Sequence, residues 1–139
     1  MNRFSLTTIV LLSLFLTGCG DGKPRPVPVS GTIQFRGQPL AQGDVIFVPA
    51  TRDAGQMARG AIGADGSYEL STPNLGRGAL PGNYKVTVFA HDGMREIPGM
   101  VAPAVGPSLI PIRFNDASTT DLEATVGEEG GEINLELTD

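Results

Sequence analysis

The chain carries one cysteine, Cys19, and one histidine, His91, so the chemistry open to it is narrow. A single cysteine excludes every intrachain disulfide, and one of each excludes most multi-ligand metal sites. His91 stands beside Asp92 and Gly93 in a predicted turn. An imidazole next to a carboxylate is the pairing of a general base, yet no serine or cysteine near it lies in a nucleophile motif. His91 therefore reads as a loop histidine, and no catalytic residue, cofactor or metal is expected. Asp116, Asp121 and Glu123 fall close together in sequence, as do Glu128, Glu129 and Glu132. Loop carboxylates of this kind can supply several of the oxygens that calcium takes, but the Asp-x-Asp-x-Asp-Gly spacing is missing and acidic turns are commonly solvated surface. Sugars stack on aromatic platforms; the chain has no tryptophan, and Tyr68 and Tyr84 occupy strand positions expected to face a core. Calcium and carbohydrate binding stand as the alternative readings.

Cys19 has the more informative surroundings. Residues 1–19 run from Met-Asn-Arg through an apolar stretch, Phe4 to Leu16, to Thr17-Gly18-Cys19. A short basic start, an apolar stretch of about a dozen residues and small residues at the end make a secretory signal peptide. The stretch is too short to cross a bilayer as a helix, which takes about 20 residues. Leu16-Thr17-Gly18-Cys19 resembles the lipobox of bacterial lipoproteins. The resemblance implies that the Cys19 thiol takes a diacylglyceryl group by thioether linkage and becomes the first residue after cleavage. The chemistry suits it: a thiolate is a strong nucleophile, and two or more acyl chains give durable anchoring without a protein span. An ordinary secretory signal cut before a spectator cysteine is the competing reading. The expected location is the cell envelope, on the extracytoplasmic side of a bacterial membrane.

Three segments follow from composition: a leader over residues 1–18, a lipidated cysteine with a Gly/Pro-rich tether over 19–28, and a folded body over 29–139. In the tether, Pro24, Pro26 and Pro28 alternate and favour an extended spacer, while Gly20 and Gly22 supply a joint. The formal charge of −5 falls by one when Arg3 leaves with the leader. An acidic body of this kind repels phosphate backbones, so nucleic acid is not an expected partner.

The body must be built from strands. From Val29 the apolar period is two, turn signals recur every 8–12 residues or so, and no window shows a helical period. Expected strands cover Val29–Phe35, Asp44–Pro49, a hairpin of Ala58–Gly63 with Ser67–Ser71, and Tyr84–Phe89. A C-terminal hairpin is expected between Leu122–Val126 and Glu132–Leu137 across Gly127–Gly131. Val45-Ile-Phe-Val48 is apolar on both faces, which predicts a central strand. Residues 91–112 read as a long irregular piece with apolar side chains at Met94, Ile97, Met100, Val101, Val105, Leu109 and Ile110. That piece is either a flap over one end of the body or a contact surface. Seven short strands with such turns predict an all-β sandwich.

Pro28-Val-Ser-Gly-Thr-Ile33, Arg36-Gly-Gln-Pro-Leu40, Asp44-Val-Ile-Phe-Val-Pro49, Ala64-Asp-Gly-Ser-Tyr-Glu-Leu70 and Leu80-Pro-Gly-Asn-Tyr-Lys-Val86 together resemble a carboxypeptidase regulatory-like domain. The likeness is to the small transthyretin-like lipoproteins of planctomycete-type bacteria and covers nearly all of residues 28–137. It implies a seven-stranded, prealbumin-like Greek-key sandwich that is generally non-catalytic. The transthyretin-like hydrolases and the sandwich-fold dioxygenases need several histidines, which this chain does not supply. Arg36 departs from the pattern, where Asp is common, and residues 91–111 are longer and more apolar. The implied partners are the membrane, through Cys19, and an envelope protein or glycan, through loops.

Overall fold

The computed structural model describes residues 22–51 and 55–139; the leader and Cys19 lie outside them. Period-two alternation becomes strand over most of the expected stretches, with breaks at Leu70 and Ile133–Asn134, starting with β1 (Val29–Phe35), which buries Val29, Gly31 and Ile33 on one face. At its end Arg36 and Gly37 both take positive φ, 52° and 75°, the geometry of a two-residue hairpin turn. The chain folds back as β2 (Gln38–Pro39), which pairs antiparallel with β1.

β3 (Asp44–Pro49) and β4 (Ala58–Ala61) pair antiparallel. After the Ala64–Gly66 turn come β5 (Ser67–Glu69) and β6 (Ser71–Thr72), which are one run of chain serving two sheets. β5 pairs with β1, whereas Ser71 of β6 sits opposite Arg59 of β4. Asp65 holds the turn, its carboxylate accepting from the Ser67 amide at 3.1 Å. A small return, β7 (Gly76–Arg77), follows and pairs antiparallel with β6.

β8 (Gly82–Phe89) lies beside β3, so β3 is central as its doubly apolar sequence required. Beyond it, β9 (Met94–Arg95) and β10 (Ala104–Val105) pair with each other alone, which gives part of the irregular piece an ordered hairpin. A 3₁₀ turn over Ile112–Asn115 then buries Phe114.

The C-terminal strands correct an expectation. β11 (Glu123–Val126) pairs with β8, whereas β12 (Gly131–Glu132) and β13 (Leu135–Leu137) pair with β1 in parallel. Gly127–Gly131 is therefore a crossing between sheets and not a hairpin turn. Each arm buries one face, Ala124 and Val126 on the first, Leu135 and Leu137 on the second. Those faces look into the core from opposite sides.

The result is all-β: one sheet in the order β11-β8-β3-β4-β6-β7, the other with β1 between β2/β5 and β12/β13. Val45, Phe47, Val86 and Val88 from the first sheet join Val29, Ile33 and Leu137 from the second in a single apolar cluster. Phe47 is its centre, with ring centroids 6.2 Å from Tyr68 and 5.8 Å from Tyr84, so aromatics from both sheets interlock there. Burial of this cluster is the main stabilising term, since the described ion pairs lie at the surface, where such pairs contribute little.

Candidate functional site

The candidate site is the arm formed by residues 91–108, and its base is built from backbone pairing. His91 and Ser108 face each other in an isolated bridge. The Leu109 amide donates to Ala90 O at 2.9 Å, Asp92 N to Pro107 O at 2.9 Å, and Gly106 N to Gly93 O at 2.8 Å. The His91 ring belongs to this lock: Nδ1 donates to Gly106 O at 3.1 Å, a carbonyl being able only to accept. Gln42, from the loop before β3, donates through Nε2 to His91 O. Asp92 and Arg95 pair across the first turn of the arm at 3.3 Å. His91 thus closes the base of the arm with its ring and, through its carbonyl, ties the arm to the loop that holds Gln42.

Beyond the base the arm shows its apolar side chains to solvent. Met94 is 73% exposed, Met100 63% and Val101 fully, with Ile97 and Val105 also exposed. No ionisable residue occurs from Ile97 to Ile112. Of the apolar residues read as flap or contact surface, Ile110 alone is buried, at 5%. The large apolar side chains of residues 94–105 are therefore not packed into the body's core. The uncharged stretch Ile97–Pro103 borders a common surface recess with Glu96 at its edge.

The other sequence candidates are occupied differently. Asp116 turns its carboxylate onto the Ser118 amide (2.7 Å) and hydroxyl (2.6 Å), bonds that hold its pKa below the usual carboxylate range. Glu123 pairs with Lys85 at 2.5 Å, and Glu132 accepts from Asn134 Nδ2 at 2.8 Å. Among the described residues no three His, Cys, Asp or Glu side chains come together in a way that holds a metal ion.

Tyr68 and Tyr84 are both buried, so neither ring offers a platform to a sugar. Tyr68 donates to Ile133 O at 2.5 Å, and burial followed by the charge of Glu132 pushes its pKa well up. The Tyr84 hydroxyl turns back and donates to Leu80 O at 2.7 Å. That four-residue return is a tyrosine corner, which fixes the Leu80–Asn83 reversal at the start of β8. Cys19, the expected lipid attachment point, lies outside the described residues. Among those residues no helix is long and apolar enough to cross a membrane.

Two features had no sequence signal that singled them out. Gln42 reads as an ordinary polar loop residue. Val27 and Pro28, inside the segment read as tether, pack on the body: Val27 N donates to Ala79 O at 2.8 Å, Ala79 N returns to Val27 O at 3.0 Å, and Gly131 N donates to Pro28 O at 2.9 Å. Comparison with protein-family models, with curated proteins and with solved structures finds no match to this chain.

Proposed function

We propose that the chain is a membrane-anchored envelope lipoprotein presenting a non-catalytic β-sandwich for protein–protein or matrix interaction, with the lipid on Cys19 and the arm as the contact surface. The observation that carries the reading is the arm: an ordered hairpin, locked at its base, which exposes Met94 on its strand and Met100 and Val101 at its tip and holds no charge from Ile97 onward. Methionine and valine side chains adapt to a partner's surface and gain free energy by leaving water. A partner patch that is itself apolar and uncharged suits this tip.

Kinship with the carboxypeptidase regulatory-like, transthyretin-like domains belongs to the same proposal. Its support is the strand layout. Treating β5/β6 and β12/β13 as one strand each, and setting aside β2, β7 and the arm, leaves seven strands. Four of them, β11-β8-β3-β4, lie against three, β5/β6-β1-β12/β13. The chain changes layer from β2 to β3, from β4 to β5, after β5/β6 and over Gly127–Gly131, and such repeated crossing supports a Greek-key reading. The tyrosine corner at Leu80–Tyr84 is a device of such sandwiches.

The test uses cells making the full chain with a photo-reactive residue at Met100 or Val101. A cross-linked protein that is lost when the label moves to Ser118, on a polar turn, is the expected outcome. Cys19→Ala should in parallel move the protein from the membrane to the soluble fraction. Absence of any adduct at the tip, with the protein correctly in membranes, contradicts the contact role.

A further inference from the structure

We infer that Val27 and Pro28 form a clip that fixes where the tether leaves the body, and that it holds the arm at the pole facing away from the membrane. The inference rests on the reading of Cys19 as the anchor for its second half only.

The clip has reciprocal bonds and two glycine seats. Val27 and Ala79 exchange both backbone hydrogen bonds, and Pro28 O takes the Gly131 amide. Val27 is half-buried against the core cluster. The body comes close enough only because two neighbours lack side chains. A Cβ on Gly78 would lie 2.0 Å from Val27 O, and one on Gly130 would lie 2.0 Å from Pro28 O. Both glycines also hold positive φ, 99° and 73°, which an L side chain resists. A spacer that merely left the body would need no such seats.

The position of the clip follows from the register. Ala79 lies three residues before β8, and the arm starts at His91, two residues after β8 ends at Phe89. At about 3.3 Å per residue, β8 separates these two poles by roughly 23 Å. β1 gives the same answer independently: it starts at Val29, beside the clip, and ends at Phe35, on the side from which Gln42 reaches His91 O. Lys23, Pro24 and Arg25 border a recess with Leu80, Pro81 and Glu128, so the prolines keep the chain at this pole as a semi-rigid spacer of about 3.1 Å per residue. With Gly22, at φ 60°, as the joint, the spacer and body move together. The arm is then the far end of that rod, away from the lipid on Cys19, where it meets a partner and not the bilayer that anchors it.

Hydrogen exchange on the full lipidated chain tests the clip without any variant. The amides of Val27, Ala79 and Gly131 should exchange at least 100-fold more slowly than that of Lys23. Exchange of Val27 and Ala79 at the rate of Lys23 overturns it. Orientation is read by energy transfer to an acceptor-labelled lipid from a dye on Met100→Cys or on Glu128→Cys, in vesicles. Transfer several-fold stronger from position 128 is expected; equal or stronger transfer from position 100 overturns the outward arm. Failure of the protein to float with vesicles counts against the Cys19 anchor, and the exchange rates still decide the clip.

Discussion

Tyr84 shows how a single side chain sets the geometry of a loop. Its ring fills the core beside Phe47 while its hydroxyl caps the Leu80 carbonyl at 2.7 Å. Tyr84→Phe keeps the ring and leaves that buried carbonyl unpaired, so it should destabilise the body by about 1–2 kcal/mol, read as a lower denaturant midpoint at unchanged slope. Arg36 solves a different local problem. It occupies the left-handed region at φ 52°, where a side chain is costly, and its guanidinium makes two bonds to the Asp139 carboxylate, 2.8 Å and 2.5 Å, while lying 5.1 Å from the Phe35 ring centroid. Hydrogen bonding holds the Asp139, Asp116 and Asp65 carboxyls below the ordinary carboxylate range. A depressed folded-state pKa contributes stability that is present above the unfolded value near ~3.9 and is lost as pH falls through the lowered folded value. The melting temperature should therefore hold down to about pH 5 and fall below about pH 4. Asp116→Asn, which keeps the turn acceptor, should flatten part of that fall.

Among elements, the arm is the one whose removal the body should tolerate. Gly106 N already donates to Gly93 O, so the chain can be closed at that point. Joining Gly93 to Gly106 through Asn-Gly deletes Met94–Val105 and supplies a two-residue hairpin turn. The melting temperature should change by no more than about 4 °C, roughly 1 kcal/mol for a domain of this size, because the deleted side chains are exposed. A loss of cooperative unfolding would make the arm part of the core after all. The strands themselves were legible because alternation in Val29–Phe35 and Tyr84–Phe89 states which face is buried. The β9–β10 pairing was not, since two residues on each side of a Pro/Gly-rich tip give no period to read. The apolar residues of the arm were visible in sequence, but burial of Ile110 against exposure of Met100 depends on tertiary placement.

At the scale of the whole molecule, a two-layer body carries its tether pole and its arm at opposite ends of β8. The layering was readable from strand count and turns, but the route between layers was not. Leu122–Val126 and Glu132–Leu137 alternate equally well whether they pair with each other or cross between sheets, because period two says nothing about the partner strand. The clip was hidden for a similar reason: alternating prolines read as spacer whether or not Val27 finds Ala79. The account as a whole depends on the chemistry of the residue at which the tether starts. Mass spectrometry of the N-terminal peptide from protein extracted out of native membranes measures it directly. A lipid-anchored protein gives a peptide that begins at Cys19 and carries a diacylglyceryl thioether on its sulfur. A peptide with a free Cys19 thiol, or one that begins at another residue, would contradict it.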